Sequence, residues 1–442
     1  MRRVILVVAV SLCACQTTGT VSDALSPKDR ALMYLSKGDA KSALPLVEAL
    51  AAKKPQDLEL ARLLAEAHVR NGSGELLLAR LAGKDDVVSH YTRGLVLFAR
   101  AADASGPAIA EFRRAAELAP DQAELHYRLG LALLESEKFD EALGSLRKAT
   151  AMAPERSGWA LPLAKALART GDTRGAVQAI RTLVTGDPTP AEVKTARALM
   201  DQIADPFATF PRAAKPKLEQ AIQWLEVADV PQQAIVQLEE ILHDYPDLAV
   251  VHALLGLAYA RIEEAGRALD ELTRAIELAP EDGKNHLYLA DLYLSRQRPK
   301  VAREHLEQAI EHNPVLGDAW FKLGDLALER EDLAAAKADF YTASRLDPDA
   351  VPPRGKLALV YQLQGDWPAA DRELKRVNEK DPDNVEIWLR LGVLHTERYG
   401  KAKQLSEKKA AADEAAKWLE KVLEAQPENA LASKALERVK AQ

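Results

Sequence analysis

Cysteine is nearly absent: the 442 residues hold two, at positions 13 and 15. Both lie at the extreme N-terminus, so the body of the chain has neither a disulfide framework nor a cysteine-based metal site. Aromatic residues make up only 5%, and a core with so few rings must come from close packing of alanine and leucine. Downstream of residue 15 no apolar run approaches the ~18 residues needed to span a membrane. Positive charge is not in excess: 59 Lys and Arg stand against 66 Asp and Glu, a net −7, which argues against nucleic acid as a partner. The motifs of common catalysts are missing too. There is no glycine-rich phosphate loop, no His-Glu-x-x-His and no Gly-x-Ser-x-Gly. The expectation is a protein that is not an enzyme, with no catalytic residue, no metal and no cofactor.

What the sequence does have is a period. Prolines stand at 246, 280, 314, 348 and 382, each 34 residues from the last. Within each interval comes Leu-Gly or Leu-Ala (Leu255-Gly256, Leu289-Ala290, Leu323-Gly324, Leu357-Ala358). An alanine follows (Ala268, Ala302, Ala336, Ala370), then a large apolar residue (Leu272, Leu306, Phe340, Leu374), then a small or β-branched one (Ala275, Ala309, Ala343, Val377). Spacings of three, four and seven put these residues on one helical face. Small residues mark places where two backbones cross closely, and the proline closes the second helix. Acidic residues after the proline (Asp247, Glu281, Asp349, Asp383) are expected to cap or open the next helix. Each unit therefore reads as a helix–turn–helix hairpin. A fixed period of this length marks a solenoid, in which each hairpin buries its apolar face against its neighbours.

These residues resemble the tetratricopeptide repeat family, most fully at Trp320, Leu323, Gly324, Ala336, Phe340, Ala343 and Pro348. The fold expected is all-α: an α-solenoid of about eleven such repeats in two arrays. Residues 24–188 form the first array, with a degenerate unit at 58–88 and two extra residues in the turn at Ser105-Gly106-Pro107. The register then breaks. Residues 189–214, which hold a helical stretch near Ala191–Ile203 and three prolines within 206–216, read as an irregular joint. Phe207 and Phe210 in it are expected to be buried. The second array covers 215–427, and 428–442 reads as a capping helix. The last unit carries about 11 inserted residues near 400–410, with Lys401, Lys403, Lys408 and Lys409 against Glu407. That insert reads either as a basic projection or as a solvated hairpin tip.

At the N-terminus, Arg2 and Arg3 precede an apolar run from Val4 to Val10. This is the pattern of a secretory signal peptide, residues 1–14. Leu12-Cys13-Ala14-Cys15 resembles the bacterial lipobox, with Cys13 a departure from its usual small residue. The resemblance implies cleavage before Cys15, lipidation of Cys15, and a polar tether over 15–23. Gln16, where an aspartate would favour the inner membrane, points by the same resemblance to the periplasmic face of the outer membrane. Ordinary cleavage to a soluble periplasmic protein is the alternative.

Nine histidines invite a check for metal. His126, His252 and His286 fall at one repeat position, and His305 and His312 lie seven apart. Neither arrangement brings enough ligands to the ~2.0–2.1 Å that zinc requires, so packing is the expected role. Function must come from surface. In the resembled family the first helices line a groove for partner peptides or helices. Carrying those positions over gives Tyr127, Lys165 and Arg169 in the first array. In the second it gives Arg261, Leu287, Asp291, Phe321, Asp325, Leu328, Glu329, Leu389 and Glu397. Apolar residues flanked by acids suit an amphipathic partner carrying basic groups. The family's clamp for acidic C-terminal tails needs Lys and Asn where this chain has pairs such as Tyr127/Leu131 and Phe321/Asp325, so that partner is not expected. The leading expectation is a lipid-anchored scaffold for other envelope proteins, resembling in layout the repeat lipoproteins of secretion, pilus, polysaccharide-export and surface-motility systems. A glycan-binding module is the second reading. A catalytic site in the joint is a third, weakened by its lack of cysteine.

Overall fold

The structure, a computed structural model, describes residues 25–100, 105–205, 207 and 210–441. The expected leader, Cys15 and the tether lie outside the described residues. Among those described are twenty-four α-helices and no strand, and none of the helices is long and apolar enough to cross a membrane. By contacts the chain divides into two units, residues 1–183 and 184–442.

The first unit holds five hairpins. They are α1 (Pro27–Ser36) with α2 (Ala40–Lys53), α3 (Leu58–Arg70) with α4 (Gly74–Leu81), α5 (Val87–Arg100) with α6 (Ser105–Leu118), α7 (Ala123–Glu135) with α8 (Phe139–Met152), and α9 (Ala160–Arg169) with α10 (Thr173–Val184). The degenerate stretch is a true hairpin whose second helix is short. Ser105, Gly106 and Pro107, expected in a lengthened turn, instead begin α6, where proline is tolerated because first-turn N–H groups have no helical partner; residues 101–104 lie outside the described residues.

The second unit opens with α11 (Pro190–Ile203), followed by α12 (Lys215–Glu226) with α13 (Pro231–Asp244), α14 (Ala249–Arg261) with α15 (Ala265–Leu278), and α16 (Gly283–Ser295) with α17 (Pro299–His312). Then come α18 (Gly317–Glu329) with α19 (Leu333–Leu346), α20 (Val351–Gln364) with α21 (Trp367–Lys380), α22 (Val385–Lys401) with α23 (Leu405–Ala425), and the final α24 (Ala430–Lys440). Helix α11 packs against α19. Arg197 donates to the carbonyl of Leu346 at 3.0 Å, and Asp187 just before the helix pairs with Arg345 at 2.5 Å. Phe210 packs on the core of this unit, whereas Phe207, expected to be buried, stays 45% exposed and lies edge-on to Phe210 at 6.1 Å.

The periodic residues do the packing they suggested. The repeated alanines Ala142, Ala176, Ala268, Ala302, Ala336 and Ala370 are fully buried. A Cβ on Gly256 would stand 2.6 Å from Leu272, and one on Gly324 would stand 2.7 Å from Phe340. Those distances leave no room for a methyl, which is why the first helix carries glycine where the second presents its large apolar residue. In the last hairpin the same contact joins Gly392 to Leu419, so the insertion leaves the packing register intact.

The turn inside each hairpin also repeats. Backbone φ is positive at Gly38, Gly72, Glu137 and Gly171 in the first unit, and at Asp229, Glu263, Gln297, Glu331 and Gly365 in the second. Each ends its helix in the left-handed conformation, and the next N–H reaches back five residues, as Asp332 does to Ala327 at 2.9 Å, or six after Asp229, where Val230 bonds Trp224 at 3.0 Å. Capping corrects one expectation. The acid directly after the proline is not the cap. The cap is the next residue: Asp282 accepts from the N–H of Lys284 at 2.9 Å, and Asn384 from Glu386 at 3.0 Å. Asp247 instead pairs with Arg274 at 2.9 Å, and Asp349 pairs with Lys380. One residue too early, these carboxylates point at the neighbouring second helix.

Candidate functional site

The shared histidine position has a structural use. His126 Nε2 lies 2.9 Å from the carbonyl of Pro120, and His252 Nε2 lies 2.9 Å from that of Pro246. Trp320 and Trp388 donate Nε1–H to the carbonyls of Pro314 and Pro382 at 2.9 and 3.0 Å. A carbonyl only accepts, so each ring presents N–H there. The residue six places after the closing proline thus satisfies that proline's carbonyl, whichever ring supplies the donor.

The same residue faces one partner on the second helix of its own hairpin, 19 positions on. His252 Nδ1 meets Glu271 at 2.6 Å, and Arg354 meets Glu373 at 3.0 Å. Between them, His286 Nδ1 meets His305 Nδ1 at 3.2 Å, while Trp320 leaves Asp339 without a base. Burial holds His286 and His305 below the ordinary histidine range. It pushes the Asp339 carboxyl up to about 7, with Asp332 adding to the rise. His312 stacks on His286 at 5.7 Å, and Tyr293 stacks on His305 at 5.6 Å. The two rings lie with centroids 5.5 Å apart, and their Nδ1 atoms are at hydrogen-bond distance. At that distance one Nδ1–H donates to the other Nδ1. No group of three or more metal-ligating side chains is found among the described residues.

The candidate partner surface is the face made by successive first helices of the second unit. Three registers share it: Leu287, Phe321, Gly355 and Leu389; Asp291, Asp325, Leu359 and Val393; and Ser295, Glu329, Leu363 and Glu397. The acids are engaged internally. Asp291 pairs with Lys322 at 2.8 Å, and Asp325 with Lys356 at 2.7 Å, each reaching one helix onward. Glu397 accepts from Gln362 at 2.7 Å. Burial keeps the Asp291 carboxyl above its usual range even beside Lys322. So Asp291 and Asp325, offered to a basic partner in the sequence reading, are paired within the face, while Glu397 keeps its charge beside the Gln362 amide.

At α20 this ladder stops. Leu359 takes the aspartate position, and Arg390, its counterpart, turns to Glu386 at 3.1 Å. Leu359 and Leu363, one turn apart, are 39% and 56% exposed. Gly355, one turn before Leu359, is buried, and a Cβ there would meet the Arg390 guanidinium at 3.4 Å. Phe321 and Leu328, partly buried, pack toward the Phe340 core, and Leu389 is partly buried on the far side. Leu287 is buried and Glu329 is exposed. Arg261 donates to the carbonyl of Leu225 and pairs with Asp229, tying a turn together. Leu359 and Leu363 were absent from the sequence-derived set although the 34-residue register points straight to them. The acids at 291, 325 and 329 drew the reading toward charge.

In the first unit, Tyr127 lies stacked on Trp159 at 4.3 Å, and Arg156 covers the same indole at 4.6 Å. Glu124 accepts from Tyr91, Arg128 and Arg156 at 3.1, 2.9 and 2.8 Å. Burial raises the Tyr91 hydroxyl well above its ordinary range. Lys165 is exposed, and Arg169 stacks on Phe139 at 4.5 Å. Tyr127 is thus part of a packed sandwich, while Lys165 faces solvent.

Comparison with known proteins bears on this architecture. Two family models described as tetratricopeptide repeat match the chain, one at residues 100–157 and 287–351, the other at 133–200 and 327–392. These matches support the tetratricopeptide repeat family. No curated protein matches the chain. Among solved structures, YrrB, described as a TPR protein with an unusual peptide-binding site, is 20% identical, with a TM-score of 0.39 over 45% of this chain and 96% of its own. PilF of Pseudomonas aeruginosa is 17% identical, with a TM-score of 0.42 over 50% of this chain and 96% of its own. The TPR domain of P58(IPK) is 17% identical, with a TM-score of 0.25 over 80% of this chain and 97% of its own. The likeness in each case is one of repeat fold.

Proposed function

We propose that this chain is a non-enzymatic scaffold that holds partner proteins on the first-helix face of its second unit. The observation that carries the reading is the exposed pair Leu359 and Leu363, set beside Gly355 where the Asp–Lys ladder ends. An apolar strip bounded by internally paired charges suits the apolar face of an amphipathic helix or peptide. With Asp291 and Asp325 paired internally, Glu329 and Glu397 are the acids left to meet basic groups on that partner. In the same proposal Cys15 carries lipid, residues 1–14 are removed, and the protein works on the periplasmic face of a bacterial outer membrane, assembling a multiprotein envelope machine for secretion, pilus formation, polysaccharide export or surface motility.

A photo-crosslinking residue at Leu363, used in intact native cells and followed by mass spectrometry, tests the partner face. The expected result is a discrete set of envelope proteins, lost when Leu359 is changed to Asp. Metabolic labelling with palmitate, beside Cys15→Ala, tests the anchor separately. The glycan reading needs open aromatic faces, and Trp159, Trp320, Trp388 and Trp418 are each at most 8% exposed.

A further inference from the structure

The hairpin of α22 and α23 differs from its neighbours. Helices α14 to α21 run 13 or 14 residues, but α22 has 17 and α23 has 21. Both are lengthened at the end where they meet. That end, residues 400–410, carries Lys401, Lys403, Lys408 and Lys409 against one acid, Glu407. Arg438 of α24 joins it, with Nη2 2.8 Å from the place a Cβ on Gly400 would take. The protein as a whole has net charge −7, so this is a local reversal of sign.

Several exposed cations of the unit are tied to carboxylates, as Arg267 is to Glu239 at 3.0 Å and Lys440 to Glu420 at 2.7 Å. At the tip they are not. Among the described residues no carboxylate lies within ion-pair distance of Lys401, Lys403, Lys408 or Lys409. Lys401 leans over the Trp367 ring at 5.3 Å, and Lys408 over Tyr399 at 5.9 Å. In their midst Leu405, the first residue of α23, is 84% exposed, more than any other large apolar side chain among the described residues.

We propose that this tip is a seat for an anionic lipid bilayer, with the lysines over the headgroups and Leu405 entering the layer beneath them. The charges are lysines, point charges on flexible stems, with no cavity and no fork geometry to select a single ligand. A diffuse anionic surface satisfies such a set. A bilayer sets apolar material under a continuous layer of negative charge, so flexible lysines and one exposed leucine engage it together without a fitted pocket, which a polyphosphate does not offer. The inference stands apart from Cys15 and from the Leu359–Leu363 face.

The test uses the full chain with Cys13→Ser, Cys15→Ser and Ser406→Cys, labelled at 406 with an environment-sensitive dye. Leu405 is kept. Vesicles of phosphatidylcholine alone are compared with vesicles containing about 30% phosphatidylglycerol, with polyglutamate as a soluble anion. The expected result is a blue shift with anionic vesicles only. Each lysine should contribute about fivefold to partitioning. Lys403→Glu with Lys408→Glu and Lys409→Glu should therefore weaken it by roughly 100-fold or more, and Leu405→Asp should abolish the shift. Helix content measured beside each variant confirms folding. A dye that does not respond to anionic vesicles, or that responds equally to polyglutamate, overturns the proposal.

Discussion

At the residue scale, a repeat protein lets each position be compared with its equivalents. The left-handed turn residue is glycine at 38, 72, 171 and 365, and Gln297 or Glu331 at other repeats. A side chain in that conformation costs ~1–2 kcal/mol, offset in part by the greater chain entropy of glycine. Glu331→Gly should therefore stabilise the protein by roughly 0.5–1 kcal/mol, read as a higher denaturant midpoint with an unchanged slope. Asp339 is a second case. Its folded pKa is raised to about 7, so the folded state favours the protonated acid. The stability it contributes is complete below its unfolded value near 4 and is lost as pH rises through about 7. Asp339→Asn should be more stable than the natural chain at pH 8, on the order of 1–2 kcal/mol after solvent screening, and that advantage should fall by more than half at pH 5. Urea melts at the two pH values check this.

At the element scale, the hairpin is the unit that recurs, and its internal pair varies. His286 and His305 sit where the preceding hairpin has His252 and Glu271. Both His286 and His305 are held below their ordinary range by burial. The unfolded chain therefore takes up protons first as pH falls below about 6.5, and the fold loses stability from there downward. His305→Glu restores the carboxylate of the preceding repeat. The loss between pH 7 and pH 5 should shrink by about 1 kcal/mol, followed by thermal melts across that range. The hairpins themselves were legible because a 34-residue period repeats its packing residues without interruption from Pro246 to Pro382. The cap was misplaced by one residue because Asp247 and Asp349 are acids at a plausible distance from a helix start, and only geometry shows them turned toward Arg274 and Lys380. The reach of α11 to α19, with Arg197 on Leu346, left no local trace in sequence, since the contact spans 149 residues.

At the scale of the whole molecule, the all-α repeat architecture could be read from spacing alone, and the partner surface only in part. The register located the first-helix face, but not which of its charges are spent on one another. Asp291, Asp325 and Glu397 looked available, and each has a neighbour from the next or preceding first helix. What remains open is Leu359 with Leu363. The most direct measurement is quantitative co-purification from native cells of the natural chain, of Leu359→Asp with Leu363→Asp, and of Val236→Asp. Val236 is 58% exposed on α13, a second helix, and serves as the control for an added surface charge. The account predicts partners recovered by the natural chain and by Val236→Asp, and lost at least tenfold by the leucine pair with folding intact. Equal recovery by all three would contradict it.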